Sequence, residues 1–199
     1  MSKKTKIEWT DASWNPVSGC RKISPGCQNC FAEKFAERFR GVENHHYEKG
    51  FDVQTRPKRL KKPEEWKKPK KIFVNSMSDI FLKEVSDNFI NDIFQTMLEI
   101  DRHNYQLLFK RSKKMLKWCR NNFDSNNPIP KHIWMGVSVE NEDYLYRIED
   151  LKKIPAVMKF VSFEPLLNST NLDKENLDDI DWVIVGGESG WSKRQMKSK

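Results

Sequence analysis

Three of the four cysteines stand close together, in Gly19-Cys20-Arg21-Lys22-Ile23-Ser24-Pro25-Gly26-Cys27-Gln28-Asn29-Cys30-Phe31. The spacing is C-x6-C-x2-C. Two glycines and a proline let so short a segment fold around an ion or a cluster. Three thiolates with one open position suit a [4Fe–4S] cluster whose fourth iron binds another molecule. A structural zinc is the alternative: Cys27 and Cys30 form a knuckle, with Cys20 as a third ligand and His45 or His46 as a fourth. Three unligated thiols are the remaining option. Cys119 is remote and falls on an apolar stripe with Met115 and Leu116, which predicts a core thiol.

A second set of reactive side chains recurs at the ends of short apolar runs. Asn75, Ser76, Ser78 and Asp79 follow one run, and Lys110 and Arg111 the next. Ser138 and Glu140, Ser162 and Glu164, and Gly186, Gly187, Glu188 and Ser189 follow three more. Parallel α/β folds gather the carboxyl ends of their strands on one face, where ligands bind. Asp79, Lys110, Glu140 and Glu164 are therefore candidate catalytic groups, with ordinary surface roles as the alternative. Two glycines after a strand, at Gly186 and Gly187, allow close backbone approach to a ligand.

The elements that must position these groups alternate between strand and helix. Ile72–Ser76, Tyr105–Phe109, Ile133–Val139, Lys159–Phe163 and Trp182–Gly186 read as strands, with a weaker candidate over 7–14. Their apolar runs are continuous, which fits parallel strands buried on both faces. Between them, Phe31, Phe35 and Phe39 recur with helical period, and Gly41 supplies a stop. Ser86 caps a helix whose stripe is Phe89, Ile90, Ile93, Phe94, Met97 and Leu98. Ser112 and Asn141 are read as the caps of two more, and residues 121–130 as one polar loop. The predicted fold is α/β: a partial (β/α) barrel of about six mainly parallel strands, TIM-barrel-like.

Several of these segments carry a resemblance. Trp14-Asn15-Pro16-Val17-Ser18-Gly19-Cys20 and Ser24 to Glu33 resemble the motif of a phage-encoded three-cysteine family of poorly defined function. Phe73 to Phe81, Phe109-Lys110-Arg111, Trp134 to Asn141, Phe163 to Leu167 and Val183 to Gly190 match it in order, over nearly the whole chain. That family is similar to radical S-adenosylmethionine enzymes and to barrel-like folds. The resemblance implies a [4Fe–4S] cluster on Cys20, Cys27 and Cys30 with S-adenosylmethionine on its open iron. It implies cofactor contacts from Gly186, Gly187 and Glu188, beside those expected of Asn75 and Ser76 from their place at a strand end, and a partner protein encoded nearby. Radical enzymes of that kind usually show C-x3-C-x2-C, a shorter first gap than the one here. The family also continues to a further strand, so this chain is expected to be short at its C-terminus.

Composition narrows the classes. The chain has 199 residues, 37% hydrophobic and 12% aromatic, enough for one domain with a real core rather than a disordered chain. No apolar run approaches the ~20 residues of a membrane span, and no signal-peptide core is visible, so the expected location is the cytoplasm. A disulfide framework is not expected there. The net charge is +8, and Arg56 to Lys71 holds nine cations against two acids, or +7 of it. The chain is thus read as a single domain, 1–199, with a basic insertion at 56–71. That insertion could contact nucleic acid, with Trp66 free to stack on a base; a solvated loop is the alternative. Two further readings stand beside the radical enzyme: a zinc- or cluster-stabilised nucleic-acid-binding module, and an inactive truncated relative.

Overall fold

A computed structural model describes residue 5, residues 7–189 and residues 193–195. Six strands form one sheet: β1 (Ala12–Trp14), β4 (Lys71–Val74), β5 (Asn104–Phe109), β6 (Ile129–Ser138), β7 (Ala156–Phe163) and β8 (Trp182–Val185), in that order and all parallel. Each later strand adds beside the one before it, the topology of an open partial (β/α) barrel. A small antiparallel pair, β2 (Val17–Ser18) and β3 (Gln54–Thr55), was not foreseen. No described helix is long and apolar enough to cross a membrane.

The continuous apolar runs are explained by two buried faces. Outward residues Ile72, Val74, Tyr105, Leu107, Ile133, Met135 and Val161 are all almost fully buried. They pack under α3 (Asp87–Glu99), α4 (Ser112–Asn122) and α5 (Tyr146–Lys152), whose Ile90, Ile93, Met97, Met115, Cys119 and Leu151 complete the same core. Cys119 is the core thiol expected, its pKa pushed up by burial.

The inner face carries aromatic rings at the amino ends of the strands. Trp9, just before β1, sits 4.7 Å from the Phe73 ring and 5.8 Å from Trp182 of the last strand. Trp182 also meets Trp134 and Phe160 at 5.9 and 5.5 Å. Opposite edges of the sheet therefore touch through one aromatic floor. Gly136 leaves room for it: a Cβ there would lie 2.5 Å from the Phe160 ring. The floor closes the amino end and leaves the carboxyl end open for chemistry.

Helix capping differs from expectation at two of three places. Ser86 does cap α3, accepting from the Phe89 N–H at 3.3 Å. Ser112 instead is the first residue of α4 and donates to Asp150 at 2.6 Å. Asn141 precedes a 3-10 turn rather than α5, and its amide donates to Asp143 at 3.3 Å. The polar loop ends early, because Ile129 is fully buried and already pairs with Ala156.

The basic segment 56–71 is ordered, and it contains α2 (Lys62–Glu65). Arg102 donates to the carbonyls of Pro63, Glu64 and Trp66, and His103 meets the Pro63 carbonyl at 3.0 Å. These contacts pin it to the start of β5, at the amino end of the sheet. Trp66 is only 8% exposed, packed edge-on to His103 with the Lys62 ammonium over its ring. Its ring is therefore core, not a free stacking surface, and that part of the nucleic-acid expectation is corrected.

Candidate functional site

The cysteine segment leaves β2 through Gly19, at φ +81, where a Cβ would lie 2.2 Å from the Asp52 carbonyl oxygen. Glycine is thus required immediately before Cys20. The segment is then stitched to the extension of β4: the Gly19 N–H donates to Met77 at 3.1 Å, and Ser78 donates to the Gly19 carbonyl at 2.6 Å. A 3-10 turn, Pro25–Cys27, follows, and Cys30 stands at the start of α1 (Phe31–Glu37). Helix α1 buries Ala32 and Ala36 against Phe51 and Met77. Its phenylalanines point elsewhere: Phe31 is 57% exposed and stacks on Phe35, which meets Phe39 and Tyr47.

All three thiols open onto one cavity of 190 Å³ at the carboxyl ends of the strands. Its opposite wall includes Asn75, Ser76, Asp79, Lys110, Arg111 and Ser138. Two separate sequence motifs, the cysteine loop and the strand-end polar groups, thus meet in one place. Cys20 accepts from Arg111 at 3.7 Å. Burial, reinforced by Asp79, pushes the Cys20 thiol up to about 11, with Arg111 opposing. Burial also raises Cys30, against the N–H groups of Glu33 and Ala32.

The strand-end residues divide by what they touch. Asn75 adopts φ +60, donates to the Val17 carbonyl at 3.4 Å, and keeps its Oδ1 buried without a partner among the described residues. A buried acceptor left open beside a cavity is what a bound molecule or water would satisfy. Ser76 donates to Asn15 at 3.2 Å. Asp79 is fully engaged: it accepts from the N–H groups of Phe81 and Lys110 and from Arg111 at 3.2 Å, joining the ends of β4 and β5.

Glu140 does not line the cavity; it holds up the loop that does. It is wholly buried and accepts from Arg147 at 2.8 Å, from Ser24 at 2.5 Å, with Lys110 at 3.4 Å. Ser24 in turn lies 3.6 Å from the Cys27 sulfur. Gly26 rests on the same carboxylate, since a Cβ there would be 2.4 Å from Glu140 Cγ. Arg147 was not foreseen as a site residue, because nothing local in a helix marks one arginine as buried. Ser24 was hidden among ordinary turn residues.

Glu164 stands behind Gly186, where a Cβ would meet its carboxylate at 3.1 Å; burial raises its pKa and Lys110 opposes. Gly186, Gly187 and Glu188 are not among the residues lining the cysteine cavity. Glu188 is instead bound to Arg194 at 2.5 Å and to Asn29 at 3.0 Å, and Arg194 reaches the Pro25 carbonyl and Gln28. These bonds, Arg194 first and then Asn29, hold Glu188 down to about 2. Gly190, the last residue of that motif, lies outside the described residues.

The zinc ligand set is not gathered. Neither His45 nor His46 lines the cavity; His45 stacks on Phe39 at 3.9 Å and accepts from the Tyr47 N–H at 3.1 Å. Among the described residues no three His, Cys, Asp or Glu side chains are drawn into a single-ion site. One tetrahedral zinc would bring thiolates to about 3.8 Å of each other, from bonds of about 2.3 Å.

The fold and site define an α/β partial barrel with a thiol-lined cavity at the carboxyl ends of its strands. Residues 4–199 match the model of a family described as a protein of unknown function, DUF5131, and the chain belongs to that family. No curated protein and no solved structure matches it.

Proposed function

We propose that the protein is an iron–sulfur protein of the radical S-adenosylmethionine type, in which Cys20, Cys27 and Cys30 hold a [4Fe–4S] cluster. The observation that carries this reading is the shared cavity, lined both by the three cysteines and by polar strand-end residues, among them Asn75 with its unpartnered buried acceptor. Such a cluster would supply one-electron reduction of S-adenosylmethionine, with an added reductant as the electron source.

The chain's own contribution is to place and shield. The three thiols give up their protons on binding, and burial makes the free Cys20 thiol a poor acid, so loading is favoured at higher pH. Asp79 fixes Arg111 beside Cys20, which sets the polarity next to the sulfur. Glu140, through Ser24 and Gly26, holds the loop against the end of β6. Asn75, Ser76 and Ser138 offer polar contacts to whatever occupies the open position, and Phe73 and Leu108 supply the apolar wall below. The resemblance to a phage-encoded family with a partner protein points to a modification reaction in that setting.

The test is purification without oxygen, followed by iron, sulfide and zinc analysis. Reconstituted protein is then examined by electron paramagnetic resonance with and without S-adenosylmethionine, and deoxyadenosine is sought by mass spectrometry after adding a reductant. Iron with matching sulfide, a spectrum that responds to S-adenosylmethionine, and deoxyadenosine are expected. Colourless protein with stoichiometric zinc and no iron would overturn the reading.

A further inference from the structure

A second cavity of 380 Å³ adjoins the first and shares Lys110 and Arg111 with it. It lies at the same carboxyl face, where β5 hands over to α4. Six cationic side chains line it, Arg21, Lys83, Lys110, Arg111, Lys113 and Lys114, against a single carboxylate, Glu84. Four of the six already have acidic partners: Arg21 with Glu84, Lys110 with Glu140, Arg111 with Asp79 and Lys114 with Asp87. Lys83 and Lys113 are exposed and form no ion pair within 4 Å among the described residues, although the Glu84 carboxylate feels the charge of Lys83.

The start of α4 adds to the positive field. Its N-cap residue, Arg111, gives no side-chain cap, and the first turn holds no acidic residue. The first turn carries Lys113 and Lys114; Lys114 is tied to the Leu82 and Val85 carbonyls, and Ser112 donates to Asp150 at 2.6 Å, which leaves Lys113 as the free charge of that turn. Apolar surface completes the pocket. Phe81 and Leu82 form its wall, and Tyr146, 42% exposed, stands at its rim with the Lys113 ammonium 5.7 Å from its ring. The volume sits at the low end of the ~300–1,000 Å³ usual for small-ligand sites. It has room for one nucleotide-sized group.

We propose that this cavity binds the phosphate of a nucleotide-type substrate, free or within a single strand, between Lys83 and Lys113. Tyr146 packs against the base. Through Lys110 and Arg111 the bound group would border the cysteine cavity. As substrate recognition for the cysteine site this rests on the function proposed above; as phosphate binding it stands on the pocket alone. The site is distinct from the basic segment 56–71, which is pinned to the amino end of the sheet.

The test is fluorescence anisotropy of a labelled single-stranded oligonucleotide on the full-length chain, with adenosine monophosphate and inorganic phosphate as competitors. Binding is expected, with the mononucleotide the better competitor. The K83A/K113A variant should bind at least about tenfold more weakly, with a salt slope lowered by about 1.4 for two lost single-strand phosphate contacts. Tyr146→Ala should weaken the mononucleotide by about fivefold or more and leave inorganic phosphate unchanged. The control K67A/K68A, in the segment 56–71, should bind like the parent. Absence of binding by all three ligands overturns the inference, as does a loss confined to K67A/K68A. Equal competition by phosphate and mononucleotide overturns the nucleotide assignment. Iron content of the same preparations reports separately on the cysteine site.

Discussion

Replacing Glu140 by glutamine tests whether one buried carboxylate supports both the fold and the cysteine loop. Glu140 and Arg147 are each 0% exposed, and their closest atoms are 2.8 Å apart. Glutamine keeps the volume but removes the charge. Arg147 would then face only neutral groups: the new amide, the Ser138 carbonyl at 2.7 Å and the Tyr144 ring 4.2 Å from its guanidinium. Its Nε and Nη2 already lack partners among the described residues. An ion so placed cannot recruit water. Breaking a buried pair by removing one member costs about 3–5 kcal/mol. For a chain of this size each kcal/mol lowers Tm by about 2–4 °C, so E140Q should melt about 6–20 °C below the parent. Circular dichroism of metal-free protein measures this. A drop under about 2 °C would refute the reasoning.

The double variant E140M/R147M separates stability from positioning. Replacing both ions with apolar groups of similar size is neutral or stabilising in other buried pairs, so its Tm should return to near the parent value. Methionine, however, offers Ser24 no carboxylate. Iron bound per chain after anaerobic reconstitution should therefore stay low while the fold is intact. Full iron loading in that variant would show that Glu140 does not position the loop.

Three more outcomes follow from the same geometry. Gly26→Ala forces a methyl to within 2.5 Å of a carboxylate oxygen of Glu140, which Arg147 fixes, so iron loading should fall by more than half while the Tm drops by only a few degrees, as titration and melting would show. Arg194→Ala should let the Glu188 carboxyl titrate near the ordinary ~4.3 rather than about 2, read by carbonyl NMR. In the parent its folded pKa is depressed, so the bonds from Glu188 to Arg194, and secondarily to Asn29, stabilise above ~4.3 and are lost as pH falls toward about 2. His46 is held down to about 4, by burial first and then by Arg59 and Arg56, so the unfolded chain takes up its proton first. Stability should fall as pH drops from ~6.5 toward about 4, and His46→Gln should flatten that part of the urea-midpoint profile.

The sheet was legible because strands buried on both faces leave continuous apolar runs that nothing else in a polar chain produces. The cavity was legible in halves: the cysteines by spacing, and Asn75, Ser76, Asp79 and Lys110 by position after those runs. What joins the halves was not. Phe31, Phe35 and Phe39 share helical period with Ala32 and Ala36, and hydrophobicity alone favours burying the rings. The structure buries the alanines, because only small side chains let α1 approach Phe51 and Met77. The rings instead stack on one another and on Tyr47. Trp66 misled for the converse reason: its charged neighbours suggested an exposed stretch, while Arg102 and His103, far along the chain, pull it inward.

Glu140 shows why such joints escape a linear reading. Its partners lie at sequence distances of 116, in Ser24, and 7, in Arg147, and neither spacing is a motif. Serine in a turn and arginine in a helix are each unremarkable until both reach one buried carboxylate. That arrangement also decides how the loop responds to loading. Ser24 and Gly26 sit between Glu140 and Cys27, so any movement of Cys27 toward an ion pushes against a group that cannot move without stranding a buried charge. The loop is therefore held stiffly at its centre and anchored at Gly19, while Cys30 rides on the start of α1. Loading should then be taken up mainly by α1 and by Cys20, and amide exchange should slow on binding at residues 30–34 more than at residues 24–27. The opposite order would show that the centre of the loop, not its end, is the part that moves.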